Sequence, residues 1–406
     1  MKVVVIGGGA SGLIAAIHAA KKGCSVTVLE RNKTCGKKIL VTGNGRCNYW
    51  NQDQDFHHYH STNHELLESI LTKENQEKVL NFFDEIGIIP KIKNNYYYPC
   101  TNQAITIQEA LLKELERYHI SIKNEFFVEN IIKKDTGFEI YGNDELINAD
   151  RIILATGSKA CPKTGSDGNG YTLAQNFNHT IETVLPALVQ LRGNENYFKI
   201  WDGVRVEGKV TILVDDEIKK EEEGEIQCTS YGISGICVFN ISSIASYALY
   251  HKNKVTVNIN FIPWLEEKSA QEWLNNYNQK LKNRTISELL SRFLNIKLVE
   301  VILKKTGIDK TKNWTQLSSV EQDKIIKHLT NFSLPIIETN SFDNAQVCRG
   351  GIPLTEINPK TMESLKTKGL YLTGELLDVD GDCGGYNLGF AWISGIIAGT
   401  NIGDMK

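Results

Sequence analysis

Gly7, Gly9 and Gly12 stand at the spacing G-x-G-x-x-G between a run rich in β-branched residues, Lys2-Val-Val-Val-Ile6, and a stretch from Ser11 to Lys22 whose apolar residues recur at helical spacing. Between a strand and a helix each glycine has its own use. The first permits a tight turn, the second lets a pyrophosphate approach the backbone, and the third lets helix and strand pack closely. The helix start then offers unpaired N–H groups and the positive end of its dipole to phosphate. Glu30 closes the next strand, Ser25 to Glu30. About 20 residues beyond the glycines, a carboxylate accepts hydrogen bonds from a ribose diol and repels a 2′-phosphate. The chemistry indicated is the binding of FAD or NAD in preference to NADP.

Two later strands end in the same style. Arg151-Ile-Ile-Leu-Ala155-Thr156-Gly157 finishes in Ala-Thr-Gly, and Tyr371-Leu-Thr-Gly374-Glu375 finishes in a glycine and a carboxylate. Both resemble the return strands of two-dinucleotide-binding-domain flavoproteins, and that resemblance implies FAD, with Glu375 on the ribityl chain. A closer likeness lies in Gly36 to Asn48, Ala155 to Tyr171, Tyr231-Gly-Ile-Ser-Gly235 and Gly374 to Asn387. In order and spacing these segments resemble the BaiN-like, or aminoacetone-oxidase-like, family of FAD-dependent oxidoreductases. The resemblance implies noncovalent FAD and a three-part architecture, with hydride transfer at the flavin N5.

The cofactor-binding residues expected on this reading are Gly7, Gly9, Ala10, Ser11, Gly12, Glu30, Arg31, Lys38, Gly43, Gly45, Arg46, Cys47, Asn48, Val128, Ala155, Thr156, Gly157, Gly374, Glu375, Gly384, Gly385, Tyr386, Asn387 and Leu388. The glycines of Thr42 to Asn48 allow a nest of backbone N–H groups, and Arg46 beside them balances pyrophosphate or reduced-flavin charge. Cys47 has no C-x-x-C partner and reads as a small packed residue. Gly384 to Leu388 opens the last helix, so its N–H groups and dipole face the pyrimidine edge of the flavin. The catalytic residues are open, with Arg349 and Tyr386 as candidates. Cys348-Arg349-Gly350-Gly351 and Ser158 depart from the family pattern, where a Thr and a Gly are common, which leaves the substrate open.

Other apparent motifs are set aside. Asp378-Val-Asp380-Gly-Asp382 begins like a calcium loop, but Cys383 and Gly389 stand where Gly and Glu belong. His57, His58, His60 and His64 read as an exposed polar segment, and no metal site is expected. Nor does a second strand–G-x-G-x-x-G–helix unit follow Gly12, since Gly165, Gly168 and Gly170 have other offsets. If NAD(P)H is the transient electron donor, it must therefore dock directly at the flavin. Three readings remain: oxidation of a small amine by oxygen, NAD(P)H-dependent reduction of an activated alkene such as a bile-acid or steroid-like enone, and flavin binding without turnover.

The elements that must hold these residues follow from length and composition. The chain has 406 residues, 41% hydrophobic and 23% charged, with a net charge of -3. That balance fits a folded globular protein acting on a small molecule and lacks the basic footprint of a nucleic-acid binder. No apolar run reaches the roughly 20 residues of a membrane span, and Gly7-Gly8-Gly9 interrupts the apolar start, against a signal peptide. Nine cysteines without a C-x-x-C pair suit a reducing, cytoplasmic location. The fold class expected is α/β: a Rossmann-like FAD-binding domain of the two-dinucleotide-binding type over 1–187 and 347–406, a β-rich, barrel-like domain over 188–263 and 333–346, and a helical insert over 264–332. Phe126 to Val128 is expected as a strand, and Glu221-Glu222-Glu223-Gly224 as a turn.

Overall fold

The computed structural model describes residues 1–281 and 284–403. They form two compact units, Met1–Leu185 with Gln346–Lys406, and Pro186–Ala345. The first unit is built on a five-stranded sheet of β1 (Lys2–Ile6), β2 (Ser25–Leu29), β3 (Ser121–Lys123), β4 (Arg151–Leu154) and β5 (Leu370–Leu372), in spatial order β5-β4-β1-β2-β3. Every pairing is parallel, with Val3 beside Arg151 and Val26 on either side of β1, and Ile152 beside Leu370. A parallel sheet covered on both faces needs strands that are apolar throughout. Val3, Val4, Val5 and Ile6 are buried accordingly, as are Ile152, Ile153 and Leu154.

Helix α1 (Ala10–Lys21) links β1 to β2, and α2 (Tyr386–Asn401) packs along it. The glycines of α2 make this close approach possible. A Cβ on Gly399 would strike the carbonyl oxygen of Ala15, and one on Gly395 would stand 2.5 Å from that of Ser11. Leu13, Ile14 and Ile17 of α1 are fully buried; each contributes about 1.5–3 kcal/mol of burial energy. One core thus joins elements from both ends of the chain.

Phe126 to Val128 is not a strand. The segment has no regular secondary structure, with its Phe126 N–H donating to the Glu30 carbonyl and its Phe127 N–H to the Asn143 side chain. Backbone pairing with the end of β2 replaces a ladder, and the strand lies earlier, at Ser121–Lys123.

The second unit holds a seven-stranded antiparallel sheet. Its spatial order is Phe332–Ile336, Val255–Asn260, Arg205–Val214, Glu217–Thr229, Gly232–Ser234, Leu191–Arg192 and Glu338–Thr339. The two outermost strands are separated in the chain by Ile337 alone, so the sheet is rolled. Helices Glu267–Lys280, Ile286–Leu290, Ile296–Thr306 and Ser319–Thr330 share its core, where Val257 and Leu334 cluster with Leu274, Ile302 and Leu329.

The acidic run is not a turn either. Glu217–Thr229 is one strand, and the hairpin turns at Asp215-Asp216, both left-handed with φ of 50° and 67°. Two such residues suit the twist of a two-residue hairpin. Glu221 pairs with Lys209 at 2.7 Å across the ladder, which makes the glutamates a solvated strand face.

Candidate active site

The turn from β1 to α1 forms the first part of the site. A Cβ on Gly7 would collide with the Ala155 carbonyl, and one on Gly12 with the Gly7 carbonyl, whereas one on Gly9 would meet nothing within 4 Å. Two glycines therefore serve close packing and the middle one opens space. Gly9 caps α1 without a side-chain hydrogen bond, so the first-turn amides stay available to an anion.

Glu30 is 6% exposed and held firmly. Its Oε2 accepts from the Gly8 N–H at 2.8 Å, and its Oε1 accepts from the Asn32 N–H at 2.8 Å and the Asn32 side-chain amide at 2.6 Å. A carboxylate has about four lone-pair sites, so acceptor capacity remains beside the glycine turn. Cys35 lies over the same turn, and burial together with the Glu30 charge pushes its thiol up to about 12. Further along, the Val128 carbonyl is taken by the Asn169 side chain at 2.9 Å. Arg31 pairs with Asp167 at 2.5 Å and lies 5.0 Å from the centre of the Phe127 ring.

The middle of the site brings Lys38, Ser158 and Glu375 together. Glu375 Oε2 accepts from Lys38 Nζ at 2.7 Å and from Ser158 Oγ at 2.8 Å. A Cβ on Gly374 would stand 2.5 Å from Ser11 Oγ, which places the late strand end against the start of α1. The Thr156 hydroxyl is buried without a hydrogen-bond partner. Cys348 bonds Ser158, yet burial dominates and lifts its thiol to about 11.

The loop from Thr42 to Asn48 has Gly43, Asn44, Gly45 and Cys47 in the left-handed region. It approaches the start of α2: a Cβ on Gly385 would stand 2.7 Å from the Trp50 carbonyl carbon and 3.1 Å from Asn48 Oδ1. That Asn48 oxygen is buried and accepts no hydrogen bond. Cys47 is fully buried and raised to about 12 by desolvation, so it is a packed thiol and not a nucleophile. Arg46 is exposed at the loop tip, 5.7 Å from the centre of the Tyr98 ring. At the start of α2 the Asn387 side chain braces its own loop, accepting from the Gly381 N–H at 2.9 Å and donating to the Gly381 carbonyl at 2.7 Å. Gly385, at φ 96°, caps α2 without a side-chain bond, leaving backbone amides as the donors there. Leu388 lies in the first turn of that helix, half-buried. Tyr386 is buried, stacked on His58 with ring centres 4.5 Å apart and edge-on to Tyr59.

The His58-to-Thr62 segment was not foreseen as part of the site. Strand Tyr59–His60 pairs antiparallel with Asp380–Gly381. The alternation sets His60 Nδ1 3.4 Å from Asp380 Oδ2 and His58 Nδ1 3.5 Å from Asp382 Oδ2. Asp378 accepts from the Thr62 N–H at 2.9 Å and the Thr62 hydroxyl at 2.6 Å. Burial and the Asp380 charge push Asp378 up, against hydrogen bonds from Thr62 and the positive charge of Arg349. His57 and His64 are exposed, while His58 and His60 are half-buried. The signal was the matching period-two alternation of His and Asp in two separate segments. Among the described residues no three His, Cys, Asp or Glu side chains are grouped to hold a metal ion, and no helix is long and apolar enough to cross a membrane.

A two-ended parallel sheet, an open glycine turn beside a fixed acid, and a second uncapped helix start define the class: the protein is an FAD-dependent oxidoreductase of Rossmann type. The orphaned Asn48 oxygen and the space at Gly9 fit such a cofactor. The chain belongs to the HI0933-like family, whose Rossmann domain it matches over residues 1–401. It is 40% identical over 400 residues to a 3-dehydro-bile acid delta(4,6)-reductase of Clostridium scindens (strain ATCC 35704 / DSM 5676 / VPI 13733 / 19), covering 98% of each chain. It is 29% identical over 405 residues to a ribosomal RNA dihydrouridine synthase of Haemophilus influenzae (strain ATCC 51907 / DSM 11121 / KW20 / Rd), again over 98% of each. Among solved structures, 3-ketosteroid-delta4-(5alpha)-dehydrogenase from Rhodococcus jostii RHA1 aligns with a TM-score of 0.51 at 15% identity, over 99% of this chain and 96% of the other. At that identity the likeness is one of fold.

Proposed function

We propose that this enzyme reduces the carbon–carbon double bond of a flat, apolar, bile-acid-like or steroid-like enone, with NAD(P)H as the transient reductant of its noncovalent FAD. The observation that carries the substrate reading is the 40% identity to a bile-acid reductase across 98% of both chains. The absence of a second dinucleotide motif leans toward an oxidase, but it weighs less, because a nicotinamide can dock directly at a flavin.

The bound flavin supplies a two-electron hydride carrier. The chain's own residues hold it in stages. The first-turn amides from Ala10 to Gly12 take the pyrophosphate, and Glu30, already oriented by Gly8 and Asn32, takes the ribose diol. Glu375, held by Lys38 and Ser158, takes the ribityl hydroxyls. The amides at the start of α2, with the Gly43–Asn48 loop opposite, stabilise negative charge on the pyrimidine edge.

Anaerobic stopped-flow absorbance tests the reading. NADH or NADPH should bleach the flavin band, and 4-androstene-3,17-dione should then restore it. Bleaching by an amine alone, with no response to either nicotinamide, would replace this reading with amine oxidation.

A further inference from the structure

Asp380 is 2% exposed, and neither of its carboxylate oxygens accepts a hydrogen bond. A buried carboxylate without donors is strongly disfavoured unless it is protonated, faces a cation, or meets a donor brought by a ligand. The group facing it is His60, whose Nδ1 lies 3.4 Å from Asp380 Oδ2 and whose side chain is 22% exposed. The pair therefore runs from solvent, through an imidazole, to a buried carboxyl group.

Its position is fixed by backbone. Asp380 stands opposite His60 in the two-stranded ladder. The next residue, Gly381, is packed against Tyr386, the first residue of α2: a Cβ on Gly381 would stand 2.7 Å from that of Tyr386. The Asn387 side chain ties Gly381 to the same helix start. The pair is thus anchored to the element assigned above to the flavin's pyrimidine edge. The other charged groups around it are Asp378 and Asp382 on its own segment, His58 on the facing strand and Arg349 on the Val347–Gly351 strand.

We propose that His60 is the acid of this redox site and that Asp380 is its positioning residue, a buried carboxylate that orients the ring and favours its imidazolium form. The proposal rests on the enone-reduction reading. Hydride delivered to the β-carbon of the enone from a bound reduced flavin would move the π electrons toward the α-carbon. That carbon would form a C–H bond with the His60 proton as the imidazolium N–H bond breaks, and water would then reprotonate the ring, with Asp380 a carboxylate throughout. The alkene would gain two electrons and two hydrogens, and the flavin would be oxidised by two electrons.

The test uses holoenzyme reduced anaerobically by dithionite and mixed with 4-androstene-3,17-dione. His60→Gln should slow the return of flavin absorbance about 100-fold or more while FAD stays bound, as the visible spectrum reports. Asp380→Asn should slow it about 10-fold and move the alkaline limb of the pH profile to lower pH. A second readout needs no substrate: the His60 imidazole, assigned by comparison with His60→Gln, is titrated by NMR, and Asp380→Asn must lower its pKa. An unchanged reoxidation rate in either variant, or an unchanged His60 titration, overturns the proposal. If the wild-type reduced flavin ignores the enone, the substrate reading falls, and the titration still decides whether the two residues are coupled.

Discussion

Lys38 Nζ and Glu375 Oε2 meet at 2.7 Å across 337 positions of sequence, with Ser158 donating to the same oxygen. Both side chains are about four-fifths buried, at 22% and 19% exposure, so the pair is partly shielded from salt and solvent. The pair presets the carboxylate that is assigned to the ribityl chain. Glu375→Gln keeps the shape and removes the charge, and should raise the FAD dissociation constant about 10-fold, or about 1.4 kcal/mol. Fluorescence titration of the apoprotein measures it; an unchanged constant would detach Glu375 from the cofactor.

Glu30 should matter more, because its charge-assisted hydrogen bonds are made in a buried position, where each is worth about 1.5–3 kcal/mol. Glu30→Gln is expected to weaken FAD binding by about 10- to 100-fold and to relax the bias against a 2′-phosphate. The same titration checks both, with NADP-type and NAD-type nucleotides as competitors.

Acid should destabilise the fold in two stages. His179 is buried between Glu356, 2.7 Å from its Nδ1, and Ser364, 2.8 Å from its Nε2. Burial lowers its pKa below the usual 6.5, and desolvation likewise pushes His18 down to about 4. Both are neutral in the fold, and the unfolded chain binds more protons below pH 6.5, so their contribution is complete above that value and is lost as pH falls. Glu356, held below 4.5 by Lys366, Thr180 and His179 against its own desolvation, adds a loss below pH 4.5. Differential scanning calorimetry should show Tm falling by about 5 °C between pH 7 and 5. His179→Gln should flatten the upper part of that decline.

The thiols should separate cleanly by labelling. Cys100 is exposed, whereas Cys35, Cys47, Cys228, Cys237 and Cys348 are buried. Burial raises the thiols of Cys35, Cys47 and Cys228 to about 12 and those of Cys237 and Cys348 to about 11. Mass spectrometry after brief iodoacetamide treatment at pH 7.5 should find Cys100 alkylated and these five untouched until denaturant is added. Rapid native modification of Cys47 would reinstate it as a redox residue.

Local chemistry made the nucleotide end of this protein readable. Gly7, Gly9, Gly12 and Glu30 lie within one βαβ unit, so their spacing in sequence already encodes their spacing in space. The Asp380–His60 pair was hidden for the opposite reason. Each half reads alone as a failed metal motif or a polar run, and only the antiparallel pairing of two short strands gives them a shared meaning. The acidic run at Glu221 misled in a third way, because charge marks exposure, and an exposed strand face and a turn look alike until the positive φ values at Asp215 and Asp216 locate the hairpin. Phe126 to Val128 has strand-forming residues, but its backbone groups are engaged by Glu30 and Asn143.

The contact of Gly399 with Ala15 ties the last helix to the first. During synthesis at about 5–20 residues per second, the 337 positions between Lys38 and Glu375 take roughly 17–67 s to emerge. Throughout that interval the amino-terminal nucleotide cradle stands half-built beside the ribosome, with its covering helix still unmade. Flavin loading therefore waits for that helix to emerge, and its yield depends on what shields the nascent βαβ unit in the meantime.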